Sequence, residues 1–238
     1  MEYRLTAIVL GKREIGETDR MYTFMTREMG KVRAKAIGVR KPGAKLAGHL
    51  ETLSLVGCTL VRNRGMGRVS GAIAERTFPD IRSEYDTLRV ALDVVSVFDR
   101  LVGFEAPDAD LFDALSEYLS LLDGIAKEGR PAQVTLLSEA FLVKLFDTLG
   151  YRIEADMCAV SGGRLVAGST CFFSPEAGGI VAEAYAGHHA IAIGENVVKL
   201  IRLFLGNRLP SVLRVRVGER DLAELSRMRK LFLDRVLR

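Results

Sequence analysis

Lys31, Arg33 and Lys35 recur at every second position, and Arg40, Lys41 and Lys45 follow closely in "GKVRAKAIGVRKPGAKLAGHLE". Glu51 is the only acid in that stretch. In an extended strand, alternate residues share a face, so the first three cations would line one side of a strand. The next three would continue from its end into a loop. Ammonium and guanidinium groups at that spacing can track a phosphate backbone by neutralising successive phosphates. Lys31, Arg33, Lys35, Arg40, Lys41 and Lys45 are therefore the candidate DNA-binding residues. The aromatic pair Tyr22 and Phe24 would share a face of the preceding strand, either as core or as stacking partners for bases.

Other chemistries find little to work with. No G-x-x-x-x-G-K-[ST] frame surrounds Lys31 or Lys41, and no G-x-S-x-G surrounds Ser161. His49, His188 and His189 are the only histidines, and they are expected on the surface or in packing roles. Glu14, Glu17 and Asp19 would suit a metal-dependent nuclease, but they fall where a turn between two strands is expected, and turns commonly carry acids. No catalytic residue is assigned.

These cations need a scaffold, and the first 80 residues supply strand patterns only. An apolar run in "RLTAIVLGKRE" precedes the alternations "RMYTFMTRE" and "KVRAKAIGVR", with a hairpin turn expected at Met29-Gly30. "LETLSLVGCTLVRN" and "RVSGAIAERTF" are two further strands, joined through "RGMG". Five short strands without a helix predict a small closed antiparallel barrel, and the OB-fold is the commonest such barrel that binds nucleic acid.

Beyond Pro79 the period changes. Residues 83–104, 107–129 and 131–150 have helical spacing, with Pro131 at the start and Gly150 at the end of the third. These three predict a bundle. Helical character lapses over 151–188 and returns in 194–207 and 218–238. The expected class is α+β multidomain: an OB-like barrel over 1–80, then a helical domain over 81–238 with a small insert at 151–188.

Charge follows the same division. Residues 1–80 hold 15 Lys and Arg against 8 Asp and Glu, while the remainder holds 19 against 22. A basic unit joined to a mildly acidic one suits a polyanion binder. The last helix carries Arg227, Arg229, Lys230, Arg235 and Arg238, a weaker basic region that also suits its dipole. With 48% hydrophobic and 27% charged residues the chain reads as an ordinary globular protein, and no apolar run approaches the ~18–20 residues of a membrane span. Three cysteines (Cys58, Cys158, Cys171) and an N-terminus without a secretory pattern suggest the cytoplasm.

"EIGETDRMYTFMTREMGKVRAKAIGVRKPGAKLAGHLE" resembles the N-terminal barrel of the bacterial recombination mediator RecO. The likeness is carried by Glu17, Asp19, Thr26, Gly30-Lys31 and the tract ending at Arg40-Lys41. Barrel, helical domain, insert and closing helices follow that family's order. The resemblance implies a non-enzymatic mediator of DNA repair and homologous recombination. It would bind single- and double-stranded DNA, anneal complementary strands, and act with RecR, and in some settings RecF. Its role would be to help RecA replace single-strand-binding protein (SSB). The alternatives are an OB-type single-strand nucleic-acid binder without annealing, or a nuclease using the acids named above.

Many RecO-like proteins bind zinc in the insert through two Cys pairs, the second after Gly-Gly. Here Cys158 remains, but Ser161 stands where the second thiol would fall. Gly178-Gly179 is kept, yet Ala182 and Tyr185 replace the second pair. These side chains cannot substitute for thiolates in a tetrahedral site. Cys171 with His188 or His189 has no regular ligand spacing. A degenerate zinc-finger-like insert is expected, a small β-element packed by Phe172, Phe173 and Ile180, with no metal and no other cofactor.

Overall fold

In the computed structural model, residues 1–63, 65–166 and 170–238 are described, and they fall into two compact units, Met1–Gly129 and Arg130–Arg238. Unit 1 opens with β1 (Glu2–Ile15), β2 (Asp19–Thr26), β3 (Gly30–Ala36), β4 (Leu55–Val61) and β5 (Gly67–Arg76). They close into a barrel in the order β1-β2-β3-β5-β4, all pairs antiparallel except β3 with β5. That parallel seam is short, pairing only Ala34 with Gly67 and Lys35 with Arg68. Arg64, in the expected β4–β5 turn, lies outside the described residues.

The barrel interior follows the pleat. Leu5, Ala7 and Val9 of β1, Tyr22 and Phe24 of β2, and Val32, Ala34 and Ala36 of β3 form one buried cluster with Val56, Cys58, Leu60 and Val69. Tyr22 and Phe24 stack on one another at 5.8 Å and have no exposed surface. They are core, and neither is placed to meet a base.

One expectation fails in an informative way. Period-two alternation predicts strands with a wet outer face, but Ile8, Leu10, Met21 and Met25 point away from the core cluster and are also buried. Over Ile8 and Leu10 the cover is α2 (Tyr85–Leu101), which packs on β1 with Ala91, Val94, Val95 and Phe98 buried. α1 (Pro79–Ser83) and α3 (Ala109–Lys127) complete the unit, and the Asp108 carboxylate accepts from the Leu111 N–H to cap α3.

Unit 2 contains α4 (Pro131–Thr148), α5 (Glu195–Gly206), α6 (Leu209–Val212) and α7 (Glu219–Val236). α4 is apolar almost all round, because α5, α6 and α7 each pack against it. The expected three-helix bundle is thus corrected: α2 and α3 serve the barrel unit, and the third helix is the centre of another. Inside this core the Glu139 carboxylate accepts from the Arg229 guanidinium at 2.9 Å and from the Ser226 hydroxyl at 2.7 Å.

The insert expected at 151–188 contributes β6 (Cys171–Ser174) and β7 (Gly179–Ala182) to a three-stranded sheet. Its third strand, β8 (Ile191–Ile193), lies beyond those bounds, and the order is β7-β6-β8. Phe173 and Ile180 are fully buried, and Phe173 meets Phe232 of α7 edge-on at 6.0 Å. Phe172 is only partly buried. Gly179 is required by contact: a Cβ there would lie 2.4 Å from the Glu154 carbonyl oxygen. Among the described residues no cluster of three His, Cys, Asp or Glu is placed to hold a metal, and no helix is long and apolar enough to cross a membrane.

Candidate nucleic-acid interface

The β2–β3 turn sets the register of the cations. The Thr26 hydroxyl accepts from the Met29 N–H at 3.0 Å and donates to the Gly30 carbonyl at 2.8 Å. Gly30 has φ +69°, and the Ala106 carbonyl oxygen would lie 2.1 Å from any Cβ built on it. With Val32, Ala34 and Ala36 turned inward, Lys31, Arg33 and Lys35 all face outward, as the alternation requires. Their surroundings then separate them.

Lys31 does not join an exposed track. It is 3% exposed, and its ammonium donates to the Asp99 backbone carbonyl, sits 3.2 Å from the Asp99 carboxylate and lies over the Phe104 ring. Its role is to tie the end of α2 to β3. The chain after α2 is tied there as well: Phe104 bridges to Lys31 in parallel, and the Glu105 N–H donates to the Lys31 carbonyl. Sequence spacing cannot reveal this, because the covering residues lie some 70 positions downstream.

Arg33 is exposed, with its guanidinium carbon 4.4 Å from the Phe104 ring centre. Lys35 is half-exposed, its ammonium 2.7 Å from Asp19. The hydrogen bond from Lys35, together with the Gly38 N–H at 2.7 Å, holds the Asp19 carboxyl down at about 2. Arg40 donates its backbone N–H to the Thr18 carbonyl and pairs with Glu14 at 3.3 Å. Glu14 and Asp19 are thus engaged by cations, which does not favour the nuclease alternative; Glu17 stands exposed at the same turn.

Lys41 and Lys45 project from the loop that follows β3, exposed and without an ion pair among the described residues. The loop itself is pinned. Val39 is buried in the barrel core, Leu46 packs against that core, and turns run from the Lys41 N–H to Gly38 and from the Ala44 N–H to Lys41. Arg33, Lys35, Arg40, Lys41 and Lys45 therefore stay at or near the surface on one strand and one anchored loop.

Sequence reasoning missed Arg13 and Phe104. Arg13, exposed on β1, lines a cleft of about 240 Å³ with Lys12, Arg33 and Asp99. Phe104 closes the segment 83–104 read as helical, but α2 ends at Leu101 and leaves Phe104 in the chain beyond it. In the other unit, Arg229 is committed to Glu139 and cannot serve a ligand, whereas Arg227, Lys230 and Arg235 are exposed.

The structure defines an α+β protein: a five-stranded barrel with outward cations on one strand and loop, followed by helices. Comparison with known proteins specifies the family. Residues 1–78 match the family model for the recombination protein O N-terminal domain, and residues 82–238 match that for its C-terminal domain. The DNA repair protein RecO of Geobacter metallireducens is 31% identical over 198 residues, covering 83% of this chain and 78% of the relative. Those of Dehalococcoides mccartyi (29%, covering 94% of this chain and 86% of the relative) and Roseiflexus sp. (29%, covering 99% and 81%) are similar throughout. The chain belongs to the RecO family of DNA repair proteins.

Proposed function

We propose that the barrel is an OB-like module that binds single- and double-stranded DNA through Arg33, Lys35, Arg40, Lys41 and Lys45. Lys31 acts beneath them as a structural tie. On this reading residues 1–80 form the nucleic-acid module and 81–238 the helical domain, with 151–188 a degenerate, metal-free insert. The observation that carries the reading is the run of outward cations from β3 into a loop fixed on the barrel core by Val39. Fixed cations neutralise phosphates without first losing loop entropy, and they release counterions whatever the base sequence.

Two strands bound on such a surface are shielded from mutual repulsion, which favours pairing. The protein would therefore anneal complementary strands. In the setting the family implies, it would work with RecR, and in some cases RecF, to help RecA replace SSB. No step in this scheme calls for catalysis. The test is annealing of complementary oligonucleotides coated with SSB. Faster annealing with the protein than without supports a mediator. Binding without annealing would reduce it to a single-strand binder, and Mg²⁺-dependent loss of labelled strand would make it a nuclease.

A further inference from the structure

We propose that Arg33, held over Phe104, is a base-stacking platform, so that this chain grips single strands by a base as well as by their phosphates. The proposal rests on the DNA-binding reading above and gives it a single-strand component. Arg33 makes no ion pair among the described residues; its guanidinium instead lies over an aromatic ring, 4.4 Å from the centre. A cation that served only phosphate would gain little from such a partner. One that must present a planar face gains from having its rotamer fixed in advance.

The ring is fixed more firmly than a surface aromatic needs to be. The main chain of Phe104 bridges to Lys31, the Glu105 N–H donates to the Lys31 carbonyl at 2.9 Å, and the Glu105 carboxylate takes Arg62 at 2.7 Å. The Lys31 ammonium lies 4.2 Å from the ring centre. Covering Lys31 explains why an aromatic is here, yet the side chain remains 43% exposed. Tyr22 and Phe24, the aromatics of the neighbouring strand, are sealed in the core and cannot offer a ring beside Arg33.

Beside Arg33 opens the cleft of about 240 Å³, with Gly11 on its wall where the β1–β2 register shifts. Arg13 lines it and has no ion pair among the described residues, so it is free for the phosphate next to a stacked base. The one carboxylate in the cleft, Asp99, is matched by Lys31. Unpaired bases expose π-faces that stack on aromatic rings and on arginine planes, whereas duplex bases are already stacked.

The experiment uses the full chain, an oligo-dT strand carrying a central 2-aminopurine, and a duplex of equal length. Arg33→Lys keeps the charge and loses the plane; Phe104→Leu keeps an apolar cover on Lys31 and loses the ring. Each should weaken single-strand binding about ten-fold, the scale of one lost stacking contact. Each should also abolish the 2-aminopurine quenching, while duplex affinity and the single-strand salt slope stay as in the wild type. Should Phe104→Leu lower the thermal transition, Arg33→Lys decides alone. Wild-type quenching and affinity in Arg33→Lys would overturn the platform and leave the DNA-binding reading standing. Equal losses on single strand and duplex would overturn it too, making Arg33 a phosphate contact. A wild-type protein that binds neither DNA overturns both readings.

Discussion

The Lys35 ammonium and the Asp19 carboxylate stand 2.7 Å apart at the mouth of the β2–β3 pair, and Asp19 also receives the Gly38 N–H that starts the basic loop. This carboxyl is therefore held at about 2 instead of 3.8, first by Lys35 and next by Gly38. A carboxyl whose pKa falls on folding stabilises the fold above its unfolded pKa and stops doing so as pH drops through the folded one. Asp19→Asn should lower the thermal midpoint by a constant amount above about pH 5. That gap should close between about pH 4 and 2. Melts across this range decide the matter, and a gap independent of pH would refute it.

The segment tied across β3 should be a stability element. Lys31→Ala leaves Asp99 without its cation, which we expect to cost about 2 kcal/mol, below the ~3–5 of a fully buried pair because Asp99 is partly exposed. Gly30→Ala should cost more, about 3 kcal/mol, since its backbone is left-handed and the Ala106 carbonyl blocks the new methyl. Urea titrations of both variants measure this. A Gly30→Ala protein as stable as the wild type would show that the strap is not seated on β3.

Much of this molecule was legible in its sequence, and what was hidden shares one cause. Five strands and five helices announce themselves by period, and the inward set Val32, Ala34 and Ala36 follows from alternation. Alternation assigns a face, however, and not what covers it. Lys31, Arg33 and Lys35 look equivalent along the chain, yet Phe104 and Asp99 bury the first, Phe104 alone takes the second, and Asp19 pairs with the third. The buried outer face of Ile8 and Leu10 on β1 was hidden for the same reason, because α2 arrives from far along the chain. Glu139 reads as one acid on an apolar helix, and nothing local joins it to Arg229, 90 residues away.

That distant pair yields the next prediction. Glu139 and Arg229 are buried together, so removing one strands the other's charge. Arg229→Ala should destabilise the protein by about 3 kcal/mol, and the double variant Glu139→Leu, Arg229→Met should recover most of it. Denaturant midpoints test both. A double variant no better than the single would mean that the pair itself contributes net stability.

The insert should be stable without metal and should carry an unusual thiol. Burial raises the Cys158 pKa, but the Ser161 hydroxyl and the N–H groups of Ser161, Ala182 and Val160 outweigh it and hold the thiol at about 7. Burial in the barrel pushes Cys58 up to about 12. Both thiols are buried to a similar degree, so iodoacetamide reaches either only when its surroundings open. At pH 8 the larger thiolate fraction of Cys158 should then let it be modified before Cys58, as peptide mass spectrometry would record. Metal analysis should find no stoichiometric zinc, and a chelator should leave the melting temperature unchanged. One zinc per chain would reverse our view of Ser161, Ala182 and Tyr185.

The basic track itself is best tested where its cations are free. Reversing Lys35 or Arg40 would set a new carboxylate against Asp19 or Glu14 and disturb the loop, so a loss of binding there would be ambiguous. Lys41 and Lys45 have no ion pair among the described residues, and exposed substitutions usually change stability by less than about 0.5 kcal/mol. Lys41→Glu with Lys45→Glu should weaken single- and double-stranded DNA binding alike, by about ten-fold or more at low salt. If both residues contact phosphate, the single-strand salt slope should become shallower by about 1.4, at about 0.7 per contact. The matched control is Arg227→Glu with Lys230→Glu; Arg229 is unsuitable because its reversal would bury a carboxylate beside Glu139. A solvated face with no ligand predicts the same small loss for both pairs, with unaltered slopes. A large loss and a shallower slope in the loop variant alone, at an unchanged thermal transition, is the result that the anchored cations of β3 and its loop require.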